Sequence, residues 1–132
     1  MAAPNIVNVT QIFGRTNYLT PANTSTFVLI TNTANSGNVF RINQVVASNQ
    51  TNTAANVTVM IFTSGNVVAG NAVVTSSSNA FPVASNISVP AYASLIVMDK
   101  TTATYIEEDR AVLVASGTNS AITFSGSYET LN

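Results

Sequence analysis

An all-β fold, an antiparallel β-sandwich of jelly-roll or immunoglobulin-like topology, is what this chain predicts. Three observations carry that expectation. The apolar segments are short and rich in Val, Ile, Thr, Phe and Tyr. Gly, Pro, Asn and Ser interrupt them at close intervals. Several segments alternate with a period of two, which means one buried and one wet face. The 132 residues suit a single domain over 1–132. A chain of this length buries about two-thirds of its unfolded surface without disulfides or metals.

The strands follow in order. Ile6–Phe13 is the first apolar run, although residues 1–20, ending in Asn-Tyr-Leu-Thr just before Pro21, also read as an arm that docks on a neighbour. Thr24–Thr31 and Val39–Ser48 come next, separated by the turn former Asn35-Ser36-Gly37-Asn38. In Asn56–Thr63, Val57, Val59 and Ile61 share one face, and Met60 and Phe62 share the other. The end of that strand is therefore expected to be covered on both sides. Ser64-Gly65-Asn66 lies at hairpin distance between it and Val67–Val74. Ala80–Ser88 holds Pro82, which suits an edge, where a missing N–H is tolerated. The loop Pro90-Ala91-Tyr92-Ala93 leads into Ser94–Lys100. Thr104–Glu107 and Ala111–Ser116 flank a charged turn, and Gly117-Thr118-Asn119-Ser120 joins the latter to Ala121–Glu129. In that last strand Ile122, Phe124 and Tyr128 oppose Thr123, Ser125 and Ser127.

Composition excludes several functions. The chain has nine charged residues and a net charge of −1. Its four basic residues, Arg15, Arg41, Lys100 and Arg110, are scattered, whereas a nucleic-acid binder clusters them against phosphates. No apolar run approaches the ~20 residues that span a membrane, and MAAPNIVNVT lacks the basic and apolar regions of a signal peptide. There is no Cys, so disulfide and Cys-zinc frameworks are absent. There is no His, so Ser-His-Asp and Cys-His chemistry is absent too. A carboxylate pair of the glycosidase type remains formally available, but only five carboxylates exist, three of them adjacent, and there is no Trp platform. No enzymatic activity and no cofactor are expected. The polarity is instead neutral, with 17 Asn and 18 Thr. Such a surface is weakly protected against self-association, which an assembly subunit tolerates.

Two features stand out as candidate contacts. Glu107, Glu108 and Asp109 are consecutive and are followed by Arg110. On a strand, Glu107 and Asp109 would converge while Glu108 points away. Asp99 would join them if 94–100 and 104–107 formed a hairpin, giving oxygens for a cation. The plainer reading is a solvated turn whose charges discourage edge pairing. Tyr92, in its loop, is the aromatic best placed for an exposed contact, whereas Phe40, Phe62 and Phe124 read as core. Five Asn-x-Ser/Thr sequons, at Asn8, Asn23, Asn49, Asn56 and Asn86, follow from an Asn- and Thr-rich composition.

The opening MAAPNIVNVTQIFGRT, the central ISVPAYASLIVMDKTTATYIEEDRAVLVAS and the close AITFSGSYETLN resemble small virion proteins of tailed bacteriophages. In that group an "SVPA…SLIV" strand, a "YLEEGD"-like turn and a strand ending near "SYE" recur in order. This chain has Asp109-Arg110 where a Gly is common. The resemblance implies a capsid decoration or cement protein, made in the host cytoplasm and bound to the virion surface. Its partners would be the major capsid protein and copies of itself, as a dimer or trimer. A tail, neck or baseplate component is the alternative within the group. A host-surface glycan-binding module is the alternative outside it. Glu107, Glu108, Asp109 and Tyr92 are the expected contact residues.

Overall fold

The computed structural model describes residues 9–102 and 104–132. Its strands are β1 (Ile12–Leu19), β2 (Thr26–Asn32), β3 (Val39–Asn49), β4 (Ala55–Phe62), β5 (Ala72–Val73), β6 (Ala80–Val89), β7 (Ser94–Met98), β8 (Thr104–Ile106), β9 (Arg110–Ser116) and β10 (Ile122–Leu131). They form two antiparallel sheets. One has the order β1-β10-β3-β7, with β8 also on β3; the other has the order β5-β2-β9-β4-β6.

The pairings are nested. β1 pairs β10, β2 pairs β9, β3 pairs both β7 and β8, and β4 pairs β6. The chain is thus one long ribbon doubled back on itself, with its tip between β4 and β6, and wound so that β10 also meets β3 and β9 also meets β4. This is jelly-roll winding. An immunoglobulin-like sandwich joins neighbours in sequence by hairpins; here, among the described residues, no two consecutive strands pair.

Inward-facing residues of both sheets make the main core. Leu29 and Ile30 of β2, Ile42 and Val45 of β3, Val57 and Val59 of β4, Val112 and Val114 of β9, and Ile122 and Phe124 of β10 are all buried there. Each such side chain contributes about 1.5–3 kcal/mol by leaving water. Gly126 lets the sheets approach: a Cβ on it would lie 2.9 Å from Ile30 Cδ1 and 3.1 Å from Leu29 Cδ2. A second cluster sits on the opposite face of the β5-β2-β9-β4-β6 sheet. There Val28, Phe62, Ala80, Ala111 and Leu113 are buried beside Met60, with Val67 and Val73 packed over them. The expected cover over Met60 and Phe62 is therefore real, and part of it is the β4–β6 connection.

Where the chain changes sheet, before and after β3, a buried asparagine holds each corner. Asn32 Nδ2 donates to Asn38 O (2.9 Å) and Ile106 O (3.0 Å), and its Oδ1 accepts from the Ser36 hydroxyl. Asn49 Nδ2 donates to Thr53 O (2.8 Å) and Val89 O (3.1 Å), and its Oδ1 accepts from Thr51. A buried amide is tolerated only when paired in this way. The Asn49 sequon is thereby committed to the interior.

Several expectations need correction. The first described strand is Ile12–Leu19, not Ile6–Phe13; residues 1–8 of the expected strand and arm lie outside the described residues. Ile12–Leu19 pairs along its whole length with β10 of its own chain. Of Val67–Val74 only Ala72–Val73 is strand, and it pairs β2 rather than β4. The turns 35–38 and 117–120 carry the chain between sheets and close no hairpin. Local turn chemistry marked where the chain bends; which strands then meet depends on long-range burial.

Candidate functional site

The charged turn is built by the ends of β8 and β9. Residues 107–109 lie outside any strand, so alternation does not set their directions. Asp109 has φ 61°, the left-handed region that a Gly enters freely and Asp enters at a cost. Its carboxylate gains a use: Oδ1 accepts the Gly65 N–H at 2.8 Å. Gly65 is packed against the corner at Asn32. A Cβ there would lie 2.1 Å from Asn32 O and 3.0 Å from Asp109 Cα. The Thr31 hydroxyl donates to Gly65 O at 3.1 Å. Asp109 thus fastens the β4–β6 connection to the β8–β9 turn, while Thr31 ties the same connection to β2, and Asp109 is a structural residue before it is a contact residue.

Its neighbours differ. Glu107 is exposed, with Arg110 Nε 4.0 Å from its Oε1. An exposed pair of that length contributes little to stability. Arg110 also donates to Asp109 O at 2.8 Å. Glu108 is half-buried, with Oε1 shielded and without a hydrogen-bond partner. Asp99 does not join them. β7 and β8 do not form a hairpin; they lie end to end along β3, at Val45–Ser48 and Phe40–Ile42. Asp99 caps the break between them, accepting from the Thr101 N–H at 3.0 Å. Among the described residues no three His, Cys, Asp or Glu side chains gather as a metal site.

Tyr92 stands at the β6–β7 turn, 74% exposed with φ 55°. One surface groove lies between β1, β2 and the pair Ala69 and Gly70, and two more lie along β1, β3 and β10, one of them reaching Asp99 and Lys100; Tyr92 lines none of the three. It is exposed for a contact but stands apart from those grooves, whereas a glycan module sets its aromatic within one.

Comparison with known proteins adds little. No family model and no curated protein matches the chain. Among solved structures, a chain in "Structure of infectious bursal disease virus Gt strain" is similar at 11% identity over 93% of this chain and 40% of that one, with a TM-score of 0.15. This chain spans 40% of that chain's length. A TM-score so low supports no argument about fold or role.

The surface features that single-residue motifs did not reveal lie along the open sides of the sandwich. Ile12, Phe13 and Tyr18 on β1, with Val68 and Val74 beside β5, are exposed on one side. Phe81, Val83 and Ile87 on β6, Ile96 on β7 and Tyr105 on β8 are exposed on the other, next to Tyr92. The outer face of the β1-β10-β3-β7 sheet between those sides is rich in hydroxyls and carries one opposed pair of charges, Arg41 of β3 and Glu129 of β10. Thr16 meets Ser127 at 3.1 Å, Thr20 meets Thr123 at 2.8 Å, and Ser94 meets Ser48 at 3.4 Å. Alternation in β10 did announce this face; the exposed edges required knowing which strands end each sheet.

Proposed function

We propose that this chain is a structural protein of a bacteriophage virion, a capsid decoration or cement protein bound to the outer shell in many copies. The observation that carries the reading is the placement of apolar surface. The exposed large apolar side chains line the two open sides of the sandwich, while the broad sheet face between them is polar, rich in hydroxyls, with Arg41 and Glu129 opposed across one strand pair. A subunit of that design meets neighbours laterally on both sides. The sequence resemblance to small phage virion proteins supplies the setting. The role is mechanical: many modest interfaces add up across a shell and resist the pressure of packaged DNA.

In this reading Glu107 and Tyr92, both exposed, are the contact residues available to the major capsid protein. Asp109 shapes the turn that presents Glu107. The test is reconstitution. Particles lacking this protein should release DNA at a lower temperature than complete ones, and adding the purified chain should restore the threshold. An unchanged release temperature would remove the cement role.

A further inference from the structure

We infer that the β1 edge pairs with the β1 edge of a second copy of this chain, antiparallel about a twofold axis at Thr16, with Tyr18 of each copy seated over Gly14 of the other. The first ground is the state of the sheet edges. Exposed strands invite pairing, and folds blunt them with short strands, prolines and bulges. β5 is two residues long. β6 carries Pro82 and departs from regular register with β4 twice. The β7/β8 edge is broken by a 3-10 turn at Lys100–Thr102. Among the described edges, β1 alone is an eight-residue strand in unbroken register with its partner, free of proline.

The second ground is self-complementarity. The outward residues of β1 are Ile12, Gly14, Thr16 and Tyr18, on the side where Thr16 meets Ser127. A twofold axis normal to the sheet keeps outward residues outward, so it must centre on a residue. Centring on Arg15 would set guanidinium against guanidinium, which is unfavourable. Centring on Thr16 sets Arg15 against Asn17, Phe13 against Leu19, and Gly14 against Tyr18. The last pairing has a visible seat. Nothing lies within 4 Å of the Cβ position of Gly14. The space above it is a pit of about 280 Å³ rimmed by Thr16, Asn43, Ser127 and Glu129. Tyr18 is 79% exposed. An aromatic laid across an edge glycine covers bare backbone. Glu129, opposite Gly14 in register, is then placed to accept the tyrosine hydroxyl.

This inference deepens the virion reading by naming one surface through which copies meet. It needs only the isolated full chain, so its failure would leave the particle role standing. The chain contains no cysteine, so single-cysteine variants report register cleanly. Opposed Cα atoms in an antiparallel pair lie about 4.5–5.5 Å apart, within disulfide reach. Thr16→Cys faces itself across the axis, whereas Tyr18→Cys faces Gly14. Under mild oxidation Thr16→Cys should form covalent dimer at least about tenfold faster than Tyr18→Cys, since the Cα atoms at position 18 of the two copies would lie roughly 14 Å apart. Adding Gly14→Leu, which has room in its own chain, should return Thr16→Cys to the control rate. Equal rates for the two single variants would overturn the pairing, as would a wild-type chain that sediments as a monomer up to high micromolar concentration. Crosslinking that appears only after deletion of residues 1–8 would mean that the chain's own N-terminal segment holds the edge, and would also overturn it.

Discussion

The carboxylate of Asp109 accepts the backbone N–H of Gly65 at 2.8 Å, a bond that spans 44 residues of sequence. It joins the β8–β9 turn to the long connection that covers the outer face of one sheet. The acidic turn therefore divides its labour: Asp109 holds the fold, and Glu107 faces solvent.

Asp109→Ala should lower stability by about 1–2 kcal/mol, the scale of a charge-assisted hydrogen bond that is partly wet. Asp109→Asn, which keeps an acceptor and tolerates positive φ, should cost less than half of that. Urea denaturation midpoints would rank the two variants.

Gly65→Ala should be far more damaging than Gly14→Ala. At Gly65 the new methyl meets backbone at 2.1 Å, so the corner at Asn32 must move. A cost of about 3 kcal/mol or more is expected. At Gly14 the methyl meets nothing, and alanine in place of glycine in a strand should be neutral to slightly favourable. Thermal melts of the two variants give the comparison directly.

Asn32→Leu should remove the donors that satisfy Asn38 O and Ile106 O. Two stranded carbonyls at this buried corner predict a loss of about 2–4 kcal/mol. Chemical denaturation measures it, and amide exchange should quicken at the β2–β3 and β8 ends first.

Tyr128 predicts an alkaline limit to stability. Burial raises the pKa of its phenol above the usual 10, opposed in part by the Arg15 charge and a hydrogen bond from Asn17. The unfolded chain then loses this proton at a lower pH than the folded one. The stabilisation is fully present below pH about 10 and is lost as pH rises through the higher folded value. Tyr128→Phe should flatten that decline in denaturation curves taken between neutral and strongly alkaline pH. The ring itself would stay packed on Phe40, whose centroid is 4.9 Å away.

Reversing Glu107 to Lys tests the proposed capsid contact without touching the Asp109 latch. Binding to particles at low salt should weaken several-fold, and the difference should shrink as salt screens the contact. Unchanged low-salt binding would take Glu107 out of the interface.

The strands were legible where alternation was strong. β3, β4 and β10 lie close to their expected spans because apolar residues at about every second position leave one face to bury, whereas β6 matches its span although it is exposed almost throughout between Ala80 and Val89. Pairing was not legible. Ser64-Gly65-Asn66 has hairpin chemistry, yet Gly65 serves as a close-approach point beneath Asp109 and beside Asn32. Val67 looked like strand because it is apolar, but it packs as a lid on a sheet face. Asp99 looked like a ligand partner for the acidic turn, but β3 holds β7 and β8 in line and not side by side. The corner role of Asn32 had no signal among 17 asparagines, since nothing local marks one of them as buried.

A shell protein of the kind proposed must be abundant in the particle, and copy number reads that abundance. Quantitative mass spectrometry of purified virions, referenced to the major capsid protein, should give on the order of hundreds of copies per particle, as a repeated lateral subunit requires. A count in the single digits or tens would contradict shell decoration and move the protein to the tail or neck, and complete absence would contradict the virion role itself.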